Sequence, residues 1–291
     1  MKPVNYEYIS KFLLDKSALS LGAGKDYLLD SRLLPLAKGM NLPGIDELVE
    51  LLKSNPNGDL ATSVVEAMTT NETLFFRDST PFEEMIQTFI PEIVKTRQST
   101  RTLRIWCAAC STGQEPYSIA MMLMENFPTL IANWQIEFLC TDIDNQVLKR
   151  AQDGIYSSFE VQRGLTPVLL RKYFEQLNSN QWKIREPLRQ MMTFKQLNLL
   201  ADYGPIGLFD IIMCRNVLIY FETDTKRKIL ERLSRHLASH GCLFLGAAET
   251  IIGITQKYQR ATGTRSAVYQ HAQPTPLVSP PTKPLTLGKT I

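Results

Sequence analysis

Apolar residues in the first part of the chain recur at helical spacing. Tyr8 and Phe12 lie one turn apart, and Ile45, Leu48, Val49 and Leu52 fall at i, i+3, i+4 and i+7. Gly22 and Gly24, Pro43-Gly44 and Pro56-Asn57-Gly58 interrupt these stripes. A small all-helical domain over residues 1–78 is therefore predicted. Thr80-Pro81-Phe82-Glu83 has the form of a capping box with proline at the first helical position, which predicts a helix from there to about Lys95. Beyond residue 102 the pattern changes to strands at 102–107 and 134–140 alternating with helices at 115–126 and 144–152. Such alternation predicts an α/β domain, a parallel sheet with helices on both faces, over 79–271. Residues 155–195 break the rhythm. A helix over Val168–Tyr173 and two short strands, Trp182–Ile184 and Met191–Phe194, read as a small antiparallel β-subdomain inserted at about 157–195. The α/β rhythm returns with strand 208–214, helix 224–238, strand 241–247 and a final strand Ala267–Gln270. Residues 272–291 carry several prolines and few apolar residues, so this tail is expected to be disordered.

A chain of 291 residues with 44% hydrophobic and 21% charged positions reads as a soluble globular protein of one large domain or two ordinary ones. The net charge of +3, with no Lys/Arg cluster, argues against a nucleic-acid partner. A leader pattern and a run of about 18 apolar residues are both missing, so a cytoplasmic location without membrane insertion is expected. Most of the five cysteines sit in or beside apolar, strand-like runs, where reduced cysteine packs as a small hydrophobe. Cys107-x-x-Cys110 has no second pair and no nearby histidines, so no metal is expected. His236 and His240 precede Gly241 at an expected helix end and are read as dipole partners rather than metal ligands.

The chemistry concentrates in four segments. Trp106-Cys-Ala-Ala-Cys-Ser-Thr-Gly-Gln-Glu-Pro-Tyr-Ser118 joins a strand to a helix through small residues, as α/β proteins do where a nucleotide-type cofactor meets a helix N-terminus. Gly113 is the only glycine in this loop, and neither a dinucleotide fingerprint nor a P-loop is present. Cofactors without a phosphate to grip, such as S-adenosylmethionine, remain. Asp142 ends the second strand, 142 − 113 = 29 residues after the loop glycine, somewhat beyond the spacing of about 20 usual for a ribose-binding acid. It is the ribose candidate, and Asp144 reads as the N-cap of the next helix. Phe209–Phe221 is a buried strand that ends at Cys214 with Arg215-Asn216 at its edge, and core packing does not require the polar ends of Asn216 and Tyr220. Asn198-Leu199 reads on composition as an ordinary turn near the same crevice. In Asn71-Glu-Thr-Leu-Phe-Phe-Arg-Asp78, packing accounts for Phe75 and Phe76 but leaves Asn71, Thr73 and Arg77 without a reason. The Asn-x-Thr pattern there is rejected as a glycosylation site because nothing else points to secretion.

Three of these segments, Asn-Glu-Thr-Leu-Phe-Phe-Arg-Asp, Ala-Cys-Ser-Thr-Gly-Gln-Glu-Pro-Tyr-Ser-Ile-Ala and Cys-Arg-Asn-Val-Leu-Ile-Tyr-Phe, give the chain a resemblance over roughly residues 5–270 to the chemotaxis receptor methyltransferases, the CheR family. The resemblance implies an all-helical N-terminal domain and a Rossmann-like S-adenosylmethionine domain carrying a small antiparallel β-subdomain. It implies methyl transfer to glutamate carboxylates on the cytoplasmic domain of a chemoreceptor, giving γ-glutamyl methyl esters and S-adenosyl-L-homocysteine. By motif position it implies cofactor contacts from Asn71, Thr73, Arg77, Ala109, Glu115, Asp142, Asn198, Leu199, Asn216 and Val217. Arg77 and Tyr220 would lie nearest the transferred methyl. A glutamate side chain, with a pKa of about 4.3, is already ionised at neutral pH and needs no general base. The chemistry therefore reduces to alignment and the exclusion of water.

Three departures qualify the resemblance. The family's common Glu-Glu-Pro is Gln114-Glu115-Pro116 here. The β-subdomain loop Gln176–Trp182 lacks the glycine-rich insertion with which some members hold a receptor pentapeptide, so pentapeptide-independent action is expected. Through Glu66 the helical domain carries nine Asp/Glu against seven Lys/Arg, which does not support docking through a uniformly basic domain. A monomer is expected. The competing readings are a related methyltransferase with a non-receptor acceptor and a non-catalytic S-adenosylmethionine-binding module.

Overall fold

The computed structural model describes residues 1–21 and 26–272. Four helices, α1 (Pro3–Ser17), α2 (Asp26–Gly39), α3 (Ile45–Ser54) and α4 (Asp59–Met68), form an N-terminal bundle. Its core of Ile9, Leu13, Leu29, Leu33, Leu48, Leu52 and Val64 is separate from those of the sheet. The predicted stripe of α3 (Ile45, Leu48, Val49, Leu52) is buried in it. The break expected at Gly22 and Gly24 lies outside the described residues, as does the expected disordered tail over 272–291 except for Ala272, whose N–H donates to Lys257 O at 3.0 Å.

The next helical segment departs from expectation. It runs as α5 (Ser79–Glu84), a π-helical turn (Met85–Phe89) and α6 (Ile90–Thr96). The expected capping box does not form. The helix begins at Ser79 after Asp78, whose φ is 55° and whose side chain makes no cap bond, and Glu83 instead pairs with Arg265 at 2.6 Å. Pro91 explains the π turn. Its ring crowds the carbonyl four residues back, and the preceding turn widens so that Ile90 N–H donates to Met85 O.

The α/β part continues with β1 (Thr102–Ala108), α7 (Gln114–Asn126), α8 (Pro128–Asn133), β2 (Gln135–Asp142) and α9 (Asn145–Asp153). Then come β3 (Ile155–Ser157), α10 (Ser158–Gln162), α11 (Pro167–Tyr173), β4 (Phe174–Asn178), β5 (Gln181–Ile184) and α12 (Glu186–Arg189). The chain closes with β6 (Met192–Gln196), β7 (Phe209–Cys214), α13 (Thr223–His236), β8 (Leu237–Leu245), β9 (Tyr258–Arg260) and β10 (Val268–His271). Seven strands form one sheet in the order β6-β2-β1-β7-β8-β10-β9, and β3-β5-β4 form a small antiparallel sheet. The pairs from β6 to β8 are parallel, and β10 returns antiparallel to β8. Strand order reverses between β1 and β7, so a crevice opens beyond the C-terminal ends of these two strands.

Two expectations are corrected. The sequence pattern predicts Met191–Phe194 as an antiparallel strand of the insertion. Instead β6 pairs parallel with β2, Phe138 opposite Met192 through Asp142 opposite Gln196, and forms the sheet edge. Alternation along a short strand carries no information about the direction of its neighbour, so the pattern could not decide this. His240 lies not at a helix end but in β8, at the irregularity that follows the Phe209–Leu237 pair. There its Nε2 meets the buried Asp210 at 2.7 Å, which also accepts from Arg97 Nε and from Arg104 N. His236 does occupy the last turn of α13.

All five cysteines are buried and unpaired, and burial pushes the thiols of Cys107 and Cys110 well above the usual range. Among the described residues no cluster of His, Cys, Asp and Glu could hold a metal ion, and no helix is long and apolar enough to cross a membrane.

Candidate active site

The loop between β1 and α7 turns sharply at the crevice. Ala109, Ser111 and Gly113 have φ of 66°, 50° and 90°. Only glycine suits the last of these. A Cβ on Gly113 would lie 2.9 Å from Ala151 Cβ and 3.2 Å from the Tyr156 hydroxyl oxygen. The loop is tied on each side: Ser111 N donates to Asp142 Oδ2 at 2.9 Å, Ser111 Oγ to Asn71 O at 2.7 Å, and Tyr156 Oη to Thr112 O at 2.7 Å.

Asp142 sits where β2 ends, 6% exposed. Burial pushes its carboxyl up to about 6, against the lowering effect of the N–H groups of Asp144 and Ser111. Asp144 is the N-cap read from the sequence: its Oδ1 accepts from Gln146 N and Val147 N at the start of α9. Its Oδ2 also accepts from Asn71 Nδ2 at 2.8 Å and Thr69 Oγ1 at 3.3 Å. One carboxylate thus caps a helix and fixes the entrance of the segment that runs to Arg77. The helical bundle adds two further ties. The buried Glu66 accepts from Asn145 N at 2.9 Å, and Asn198 Nδ2 donates to Lys16 O at 2.7 Å.

At the end of β7 stands Arg215, with its side chain 2% exposed. Nη1 donates to Glu115 Oε2 at 2.7 Å, and Nη2 to Asp78 Oδ2 at 2.9 Å and Arg77 O at 3.0 Å. The start of α7 and the Arg77–Asp78 segment therefore meet on one guanidinium at the end of β7. Asn216 follows at φ 58°, and a 3-10 turn, Leu218–Tyr220, ends in the 38% exposed Tyr220.

These segments enclose one cleft of about 1130 Å³, its open mouth included, large enough for a nucleoside with an amino-acid tail. Asn71, Thr73, Arg77, Ala109, Glu115, Asp142, Asn198, Leu199, Asn216, Val217 and Tyr220 all line it, so the structure brings every residue predicted for the site together. Asn198 is there chiefly through structural bonds, since its amide also accepts from Leu200 N. Arg215 and Thr69 also line the cleft and were not predicted for it, and neither was Glu249, which lies behind it. Arg215 is visible in the sequence as a polar residue at a strand's C-terminal edge. Glu249 gave no signal.

The lining suits S-adenosylmethionine. An acid stands where a ribose diol would be read, and Leu197, Leu199, Val217 and Ile143 offer apolar walls for a base. The cleft has no lysine, and the guanidinium of Arg215 is already engaged by two acids. The other arginine of the lining, Arg77, donates to Glu72 O at 3.1 Å.

Sheet order, cleft and relatives together define an S-adenosylmethionine-dependent methyltransferase. The chain belongs to the CheR methyltransferase family, matching its all-alpha domain over residues 5–69 and its SAM binding domain over residues 71–267. It is 39% identical over 271 residues to chemotaxis protein methyltransferase Cher2 of Pseudomonas putida, covering 92% of this chain and 98% of that one. It is 38% identical over 268 residues to chemotaxis protein methyltransferase 1 of Pseudomonas aeruginosa, covering 91% and 97%. Among solved structures, PKMT2 from Rickettsia typhi aligns with 60% of this chain and 26% of its own at 15% identity and a TM-score of 0.36.

Proposed function

We propose that this enzyme methylates glutamate side-chain carboxylates on the cytoplasmic domain of chemoreceptors, as a cytoplasmic monomer, without anchoring to a receptor pentapeptide. The observation that carries the reading is the single cleft in which Arg77 and Tyr220 accompany the acid-and-apolar lining. When bound, S-adenosylmethionine supplies a methyl group activated by its sulfonium. Asp142 accepts from ribose hydroxyls, Leu199 and Val217 flank the base, and Asn71, Thr73, Ala109, Glu115, Asn198 and Asn216 complete the cofactor contacts. Arg77 steers the incoming carboxylate by charge and Tyr220 orients it by a hydrogen bond. Tyr220 is accessible from outside and Arg77 half-buried, in contrast to Asp142. No proton has to be removed from an ionised glutamate, so the site works without a base.

Pentapeptide independence is supported by the short connection of β4 to β5. Only Ser179 and Asn180 separate Asn178 from Gln181, which leaves no insertion to hold a peptide.

The test combines purified protein, methyl-labelled S-adenosylmethionine and membranes carrying chemoreceptors with or without their C-terminal pentapeptide. Label released as methanol in mild base, equal for both receptor forms, is the expected result. Base-stable label would assign a different acceptor. Binding of the cofactor with no label transferred to any receptor would favour a regulatory module.

A further inference from the structure

The segment that carries Asn216, Val217 and Tyr220 has an unusual anchor. Leaving β7, the backbone turns through the left-handed region at Asn216 and enters the 3-10 turn, which leaves consecutive N–H groups without partners along the chain. Glu249, 7% exposed and located beyond the end of β8, collects them. Its Oε1 accepts from Val217 N at 2.9 Å, Leu218 N at 2.7 Å and Ile219 N at 3.3 Å, and its Oε2 from Asn216 N at 2.8 Å and Gly246 N at 2.6 Å. Five backbone donors thus converge on one carboxylate, and among the described residues it forms no ion pair. Gly246 makes the approach possible, since a Cβ there would lie 2.8 Å from both Asn216 Nδ2 and Glu249 Oε2.

We propose that Glu249 is a positioning residue for methyl transfer, setting the backbone of Asn216 and Val217 against the cofactor and the ring of Tyr220 against the acceptor. It touches neither. An ionised carboxylate is the side chain suited to this task because both of its oxygens only accept. A glutamine keeps the shape but turns one end into an NH₂ donor. In either orientation at least two backbone N–H groups then face another donor. Aspartate keeps both acceptors at a shorter reach.

This inference rests on the assignment of Tyr220 given above, and the test separates the two. Full-length Glu249→Gln, Glu249→Asp, Tyr220→Phe and the Glu249→Gln/Tyr220→Phe double variant are compared. Calorimetry gives the cofactor Kd, receptor methylation gives kcat, and thermal melts report folding. Glu249→Gln is expected to weaken cofactor binding at least fivefold and to lower kcat at least tenfold. Glu249→Asp should recover part of both. In the Tyr220→Phe background Glu249→Gln should cost less than threefold in kcat, because the ring it positions no longer has its hydroxyl. Unchanged cofactor Kd in a folded Glu249→Gln protein, or fully multiplicative kcat losses in the double variant, would overturn the proposal. If Glu249→Gln does not fold, a Glu249→Asp protein with wild-type Kd and kcat would overturn it equally, because the shorter side chain cannot reach all five donors. The calorimetry needs no receptor. A Tyr220→Phe enzyme with full turnover would therefore count against the role of Tyr220, while an altered Kd would still support that of Glu249.

Discussion

Arg215 and Glu115 form an ion pair at 2.7 Å whose side chains are 2% and 14% exposed, joining the end of β7 to the first turn of α7. The pair links sheet, helix and the Arg77–Asp78 segment at one point. Breaking a buried pair from one side leaves a charge without a partner, which costs about 3–5 kcal/mol. Arg215→Met is therefore expected to lower unfolding stability by that order in urea titrations, and to weaken cofactor binding because Glu115 and Asp78 lose their common anchor. Arg215→Lys keeps the charge but not the fork that reaches both acids, and should fall between the two. A Met variant as stable as wild type would show that the pair is structurally dispensable.

Arg77 and Tyr220 make different contributions to the proposed chemistry and should fail differently. Removing a preorganised charge at the acceptor costs on the order of 10²-fold in kcat. Arg77→Ala is expected to show a loss of that size at saturating cofactor, with a raised KM for receptor. Tyr220→Phe loses one hydrogen bond and should cost about tenfold in kcat with cofactor Kd unchanged. Steady-state kinetics on receptor membranes reads both. Full turnover in both variants would remove these residues from the reaction.

The Asp144–Asn71 link offers a cleaner separation of stability from binding. Asp144→Ala loses the α9 cap and is expected to cost about 1–2 kcal/mol. Asparagine is also a good cap. With its oxygen on Gln146 N and Val147 N, however, its NH₂ group faces Asn71 Nδ2, donor against donor. Asp144→Asn should thus keep the melting temperature within a few degrees yet weaken cofactor binding several-fold. Unfolding curves and calorimetry on the same samples check this. Unchanged binding in the Asn variant would mean that Asn71 needs no such support.

Much of the site was legible because its residues fall in uninterrupted motifs. Asn71 to Asp78 and Arg215 to Phe221 carry polar groups that core packing does not ask for, and Asn71, Thr73, Arg77, Asn216 and Tyr220 all line one cleft, whereas Ala109 and Glu115 follow from the family resemblance. Arg215 escaped because its role is set by three partners, all of them a hundred or more residues away. Glu249 escaped for the same reason, since Ala247-Ala248-Glu249-Thr250 has no local pattern and its donors lie 30 to 33 residues earlier, Gly246 apart. Asp144 shows a partial success: the cap was readable from its neighbours, but its second oxygen serves a residue 73 positions back. In the fold, helix stripes and long buried strands were readable, whereas β3 and β4 are short strands defined by pairing and β6 differs from the expected strand in both its sheet and its direction. Local patterns report periodicity; tertiary partners do not appear in them.

The ribose contact proposed for Asp142 predicts a cofactor affinity that depends on pH in a range open to direct measurement. Burial raises its carboxyl to about 6 in the folded protein, against about 3.9 in an unfolded chain. A raised carboxyl favours the protonated folded state, so the stability it contributes is fully present below about pH 3.9. That contribution is lost as pH rises through about 6. Above that pH the folded protein holds a buried charge that a ligand can relieve. A ribose diol needs the ionised form as its acceptor, and the cofactor's positive charge also favours it. Affinity for S-adenosylmethionine is therefore expected to be level above about pH 7 and to fall as pH drops through 6, approaching tenfold per unit below it. Saturating cofactor should likewise raise the melting temperature more at pH 7.5 than at pH 5 (both values about a unit or more from this transition). Calorimetric titrations across this range test the point, with Asp142→Asn as the control whose weaker binding should no longer change with pH. A wild-type Kd that stays constant down to about pH 5 would show that Asp142 does not titrate against the cofactor.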